Sequence, residues 1–191
     1  MTIGTPWRGL LAGTVVLALV VGGWFALTDR ALDRVSVTAG DWRCTGTSLV
    51  RVRVDGRGQQ APRMVPGMRC RRRLAVHNGA GRGATLDSVV VPSLGSVGAP
   101  GVRVTSIDGR SPRPGEDARV DIGQHLAGDA STTVVLVAAF RPDGCTPAGG
   151  FQAEPAVTLT VWGRSREIAS RTPLAFAGTP ASDCLGRLPG G

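Results

Sequence analysis

From Gly9 to Thr28 the chain reads GLLAGTVVLALVVGGWFALT, twenty consecutive residues without a charge. Wound as a helix at about 1.5 Å per residue, the run covers roughly 30 Å, the thickness of a bilayer's hydrocarbon core. Trp7 and Trp24 stand near its two ends, where amphipathic indoles favour the membrane–water interface. Arg8 precedes it, and Asp29, Arg30, Asp33 and Arg34 follow. A run this long and apolar is expected to lie in lipid, so the remaining chain folds on one side of it.

Cleaved export signals share this basic-then-apolar layout, and Val21-Gly22-Gly23 offers small residues for cleavage. No A-x-A site stands at the right distance, so a signal anchor is favoured and secretion after cleavage is the alternative. Arginine counting does not orient the span, since one Arg precedes it and the two that closely follow each have an Asp beside them. The short basic lead and the cysteines favour an extracytoplasmic C-terminal part. The expected organisation is a short cytoplasmic N-terminus (1–8), a transmembrane helix (9–28), a linker (29–40), a β-rich ectodomain (41–185) and a flexible C-terminus (186–191).

Past Asp41 the pattern changes to short alternating segments. Val50, Val52 and Val54 alternate with Arg51 and Arg53 and run into Asp55-Gly56, a turn dipeptide. Leu74 and Val76 lead to Asn78-Gly79, and Leu86–Val91 stops before Pro92. Val102, Val104 and Ile107 precede Asp108-Gly109; Ala118, Val120 and Ile122 precede Gly123. Thr132–Phe140 is apolar on both faces and predicts a central strand, and Val157, Leu159 and Val161 alternate again. Weaker late strands are expected at Ile168 and Leu174–Phe176. Seven to nine short strands without an amphipathic helix imply an all-β, antiparallel β-sandwich.

The stretch LAVHNGAGRGATLDSVVVPSLG has the layout of strand, Asn-Gly turn and strand. It resembles the immunoglobulin-like ectodomains of uncharacterised actinobacterial membrane-anchored proteins, over roughly residues 40–184. The resemblance implies an immunoglobulin-like fold and an extracytoplasmic location, and supplies no activity. The chain departs from antibody domains in having no tyrosine for a tyrosine corner and a different cysteine spacing.

Aromatic residues make up only 4% of the chain, so the core is aliphatic and gains from covalent support. The four cysteines form no C-x-x-C pair, which removes zinc-ribbon and thioredoxin readings. In an exported domain they read as two disulfides with three possible connectivities. Cys44–Cys70 and Cys145–Cys184 are favoured, because each closes one local excursion.

All 22 basic residues are arginine, and much of that choice reflects GC-rich coding. Without lysine there is no P-loop lysine, Ser-x-x-Lys nucleophile or Schiff base. The placement of charge is more informative than its sum. Nine arginines lie between Arg51 and Arg82 against one acid, Asp55, whereas from Gly83 onward nine arginines face ten acids. If the strand carrying Arg51 and Arg53 pairs with the one carrying Arg71 and Arg73, these four guanidiniums form an anion-binding face for lipid headgroups or phosphate-bearing envelope polymers. The alternative is a solvated face that discourages edge-to-edge pairing. Nucleic acid is not an expected partner of an exported chain whose basic stretch lacks stacking aromatics.

Met64, Met68, Cys70 and His77 are soft or borderline metal ligands close in sequence, but their spacing fits no metal motif and Cys70 is better used in a disulfide. His77 and His125 have no recognisable nucleophile partner. No metal, cofactor or catalytic residue is therefore expected. The function expected is a non-catalytic, membrane-tethered binding module of the cell envelope, with an exported enzyme built from distant residues as the alternative.

Overall fold

The computed structural model describes residues 6–54, 56–98, 100–146 and 150–184, with side chains from Thr14 onward. One helix, α1 (Pro6–Asp33), opens the fold. The strands are β1 (Val35–Ala39), β2 (Arg43–Thr45), β3 (Leu49–Val54), β4 (Arg57–Pro62), β5 (Arg69–Asn78), β6 (Ala84–Val91), β7 (Val102–Ile107), β8 (Ala118–Leu126), β9 (Ser131–Phe140), β10 (Phe151–Ala153), β11 (Ala156–Val161), β12 (Arg164–Ala169) and β13 (Leu174–Phe176), before a 3-10 turn at Pro180–Ser182.

Sheet I has the order β1-β5-β9-β7, with β2 also on β5; sheet II has the order β12-β11-β6-β8. Every strand pairing within them is antiparallel. Constant-type immunoglobulin sandwiches carry the sheets ABED and CFG. Here β1, β5, β9 and β7 take the places A, B, E and D, and β6, β11 and β12 take C, F and G. Strand β8 is an addition beside C. The fold is an immunoglobulin-like antiparallel β-sandwich preceded by an apolar helix.

Between the sheets lies an aliphatic core including Leu74, Leu86, Ile107, Leu136, Leu159 and Leu174, with Phe176 its largest fully buried side chain. Strand β5 alternates strictly, with Cys70, Arg72, Leu74, Val76 and Asn78 inward and Arg69, Arg71, Arg73, Ala75 and His77 outward. Strand β9 lies between β5 and β7, the central placement its apolar sequence predicts. Cys44 is bonded to Cys70, its register partner across β2 and β5. Cys145 is bonded to Cys184, tying the segment after β9 to the end of the described chain.

Three expectations need correction. Segment 29–40 is no linker, because α1 continues to Asp33 and β1 begins at Val35. The helix persists because its last turns have a partner: Thr28, Ala31 and Leu32, spaced as one helical face, are buried, and Ala31 and Leu32 join the main core. Secondly, Asn78 ends β5 without making a hairpin, since β6 belongs to the other sheet. Its buried amide instead donates to the carbonyls of Arg82 (2.8 Å) and Ala127 (2.9 Å), fixing a crossing between sheets. Thirdly, β3 pairs with β4 and not with β5. Gly56, at φ 76°, turns the chain straight back, and the hairpin packs Val54 and Ala61 on Ala175 and Ala177. Residues 1–5 of the expected N-terminus (1–8) and the whole expected C-terminus (186–191) lie outside the described residues, and Pro6–Arg8 already belong to α1.

Candidate functional site

Because β3 and β5 do not pair, the four arginines singled out in the sequence fall into two groups. Arg51 and Arg53 are exposed on the β3–β4 hairpin, with Val50 and Val52 packed the other way. Arg71 and Arg73 are exposed on the outer face of β5. Their neighbours there come from elsewhere in the chain. Arg43 of β2 is the register partner of Arg71, and Thr45 that of Arg69. Across β9, Ala139 is opposite both Arg69 and Arg103 of β7. Residues directly opposite on paired strands share a face, so Arg43, Arg69, Arg71, Arg73 and Arg103 form one exposed arginine field on sheet I.

Three of these positions were not among the four: Arg69 lies within the basic stretch, whereas Arg43 and Arg103 lie outside it. Arg43 lies in a strand of only three residues, too short for periodicity to reveal, and Arg103 lies about twenty positions beyond Arg82, the end of the basic stretch. Gly40, Asp41, Arg43, Arg71, Arg73 and Val135 together line a hollow in the field. Like charges placed directly opposite repel, as Arg43 and Arg71 do here, and an anion between them relieves that repulsion. The arginine stems have a second use. Val135 and Val137, two of the outward residues of β9, stand opposite Arg73 and Arg71, and Val137 is only 8% exposed. Aliphatic arginine stems cover such residues while keeping the guanidinium wet.

Arg72 plays a different part. It points inward, donating from Nε to the Gly40 carbonyl (2.7 Å) and from a terminal nitrogen to the Pro173 carbonyl (3.1 Å). Its guanidinium carbon lies 5.1 Å from the centre of the Trp42 ring, which packs on Phe176. Burial pulls the guanidinium down to about 10, against the opposing field of Asp41. The residue clamps the segments before β2 and before β13 onto β5, behind the arginine field.

The remaining candidates are separated. His77 meets Ser131, its partner across β5 and β9, at 3.0 Å, and both are exposed. His125 lies on β8, in the other sheet. Met64 and Met68 are fully buried, the Met64 sulfur accepting from the Thr146 hydroxyl at 3.7 Å, and Cys70 is in a disulfide. Among the described residues no group of three or more His, Cys, Asp or Glu side chains is placed to hold a metal. At the end of β9, Arg141 grips Asp143 through two hydrogen bonds of 3.1 Å, and these hold the Asp143 carboxyl below the ordinary aspartate range.

No family model and no curated protein matches the chain. Among solved structures, it is similar to the Northeast Structural Genomics Consortium target SoR45 (TM-score 0.39, 8% identity, 78% of this chain and 89% of that one). It is also similar to the PapD-like domain 7 of human CEP192 (TM-score 0.36, 13% identity, 62% and 78%). The major pilin subunit of Bacillus cereus is a third (TM-score 0.39, 12% identity, 74% and 41%). At these scores the likenesses add nothing to the fold assignment, which rests on strand order.

Proposed function

We propose that this chain is a single-pass, membrane-tethered, non-catalytic interaction module, whose sandwich is displayed outside the cytoplasm and binds anionic envelope polymers through the arginine field of sheet I. The observation that carries this reading is the join between helix and sandwich. An apolar helix long enough to cross a membrane runs into the domain core with one residue, Arg34, between it and β1. Such a join holds the domain at a set height and orientation above the lipid. Two disulfides fit the oxidising side of that membrane.

The same join favours a polymer over the protein's own membrane as ligand of the field. Val35, the first strand residue, is paired with Asn78, which marks the membrane-proximal end of β5. From Asn78 to Arg73 is five strand steps and to Arg69 nine, so the field begins roughly 16 Å from that end and extends to about 30 Å. The test uses the full chain in nanodiscs of zwitterionic phosphatidylcholine, probed with polyphosphate across a salt series. Binding weakens as salt rises, and falls about tenfold or more when Arg43, Arg69, Arg71 and Arg73 become glutamine. Unchanged binding by that variant, with its melting temperature retained, refutes the assignment of the field.

A further inference from the structure

A second cationic cluster lies where the helix meets the sandwich. Leu27, Arg30, Ala31 and Arg34 are spaced i, i+3, i+4 and i+7, and they line one cleft together with Arg82 and Trp162. Nearer the N-terminus on the same helical stripe, Val20, Gly23, Trp24 and Leu27 border a predominantly apolar groove, of which Trp162 is again a wall. The stripe is thus apolar up to Leu27 and cationic beyond it, and Trp162 stands at the change. Arg82 stacks on the Trp162 ring at 4.3 Å. The nearby acids are engaged elsewhere, Asp29 with Arg164 and Asp33 with Arg166, and among the described residues no carboxylate forms an ion pair with Arg30, Arg34 or Arg82.

Trp162 is also poorly suited to its backbone position. With Gly163 it forms the two-residue tip between β11 and β12, where both residues have positive φ, 51° and 77°. Asn, Asp and Gly favour such turns, whereas a bulky residue at positive φ is strained. The indole stays 39% exposed, outside the buried core. An indole at the level where an apolar helix face becomes cationic has the chemistry of a membrane interface.

We infer that Arg30, Arg34, Arg82 and Trp162 form a collar that binds the phosphate of an anionic phospholipid headgroup in the outer leaflet of the membrane that α1 crosses. The inference rests on the membrane-spanning reading. The guanidiniums supply paired donors to phosphate, while Trp162 and Leu27 lie along the acyl chains. The collar is a different surface from the arginine field and takes a different ligand.

The test uses the full chain in detergent, with native mass spectrometry counting retained lipid during titration with phosphatidylglycerol, phosphatidylcholine or inorganic phosphate. Phosphatidylglycerol is expected to bind about tenfold or more tightly than phosphatidylcholine. Replacing Arg30, Arg34 and Arg82 together by glutamine abolishes the preference, and Trp162→Ala weakens retention of phosphatidylglycerol. A charge-matched control, with Arg51, Arg53 and Arg57 changed to glutamine, keeps the preference. Equal retention of the two lipids, a collar variant that binds as the parent does, or full competition by inorganic phosphate at the lipid's own concentration overturns the inference. Alkaline carbonate washing of native membranes separates this outcome from failure of the spanning reading: protein released into the wash is not integral, whereas integral protein without lipid preference lacks only the collar.

Discussion

Arg164 reaches Asp29 at 3.0 Å across 135 positions of sequence, and one step along each element Arg166 reaches Asp33 at 2.8 Å. The two pairs form a ladder because the spacings match. Residues four apart on a helix are separated by about 6 Å along its axis, and residues two apart on a strand by about 6.6 Å. Below the ladder Leu32 is fully buried, and beside it Arg164 also lies 4.9 Å from the Phe25 ring. Helix and sandwich are therefore joined by packing as well as by charge.

These contributions differ in size. The ion pairs are partly exposed, so Asp29→Asn or Arg166→Gln is expected to cost less than about 1 kcal/mol. Leu32→Ala, which removes a fully buried side chain, is expected to cost about 2–5 kcal/mol. Urea denaturation of the full chain in detergent checks the ranking, and equal losses would mean that charge rather than packing holds the joint.

Asn78 is the only asparagine in the chain and is completely buried. Its amide serves the carbonyls of Arg82 and Ala127, and its carbonyl accepts from the Ala80 N–H at 3.3 Å. Asn78→Ala leaves those backbone groups short of partners and is expected to cost about 1–3 kcal/mol. Hydrogen exchange should quicken at residues 79–83 and 126–130, while the β9 ladder stays protected.

Arg72→Lys keeps the charge but loses the planar fork and the stacking on Trp42. A loss of about 1–3 kcal/mol is expected, measured as a lower urea midpoint with an unchanged slope. Because burial lowers the Arg72 pKa, the folded state holds its proton less firmly than the unfolded state. Its charged form thus opposes folding, and that opposition relaxes only as pH rises from about 10 toward the unfolded arginine value.

Asp143 behaves in the opposite sense. Its depressed pKa means that its carboxylate favours the folded state at neutral pH, and the benefit disappears as pH falls through the folded value. Carboxyl NMR titration should place Asp143 below an ordinary aspartate, and Arg141→Gln should raise it toward the usual range. An unmoved titration would show that Arg141 is not the cause.

Much of the sandwich is written locally. The alternation in β3, β5 and β11 specifies which residues face inward, since a strand's side-chain period is fixed at two. Strand β4 is not legible that way: RGQQAP has no apolar alternation and is a strand only because β3 pairs with it. The helix joint is equally hidden, because in the sequence Asp29 and Asp33 are only charges that follow the apolar run, and their partners Arg164 and Arg166 come from the far end of the chain. An arginine field was legible as a local excess of charge, but not in its membership. Register assigns Arg43 and Arg103 to it and leaves Arg51 and Arg53 outside, and register is a property of pairs of strands.

Everything proposed for this chain depends on the sandwich standing outside a membrane that α1 still crosses. Protease added to intact spheroplasts, combined with sequencing of the mature N-terminus, tests this directly. The account predicts that a C-terminal tag is digested without lysis and that the mature protein retains the Gly9–Thr28 segment. A tag protected until lysis, or a mature chain beginning near Trp24, would contradict it.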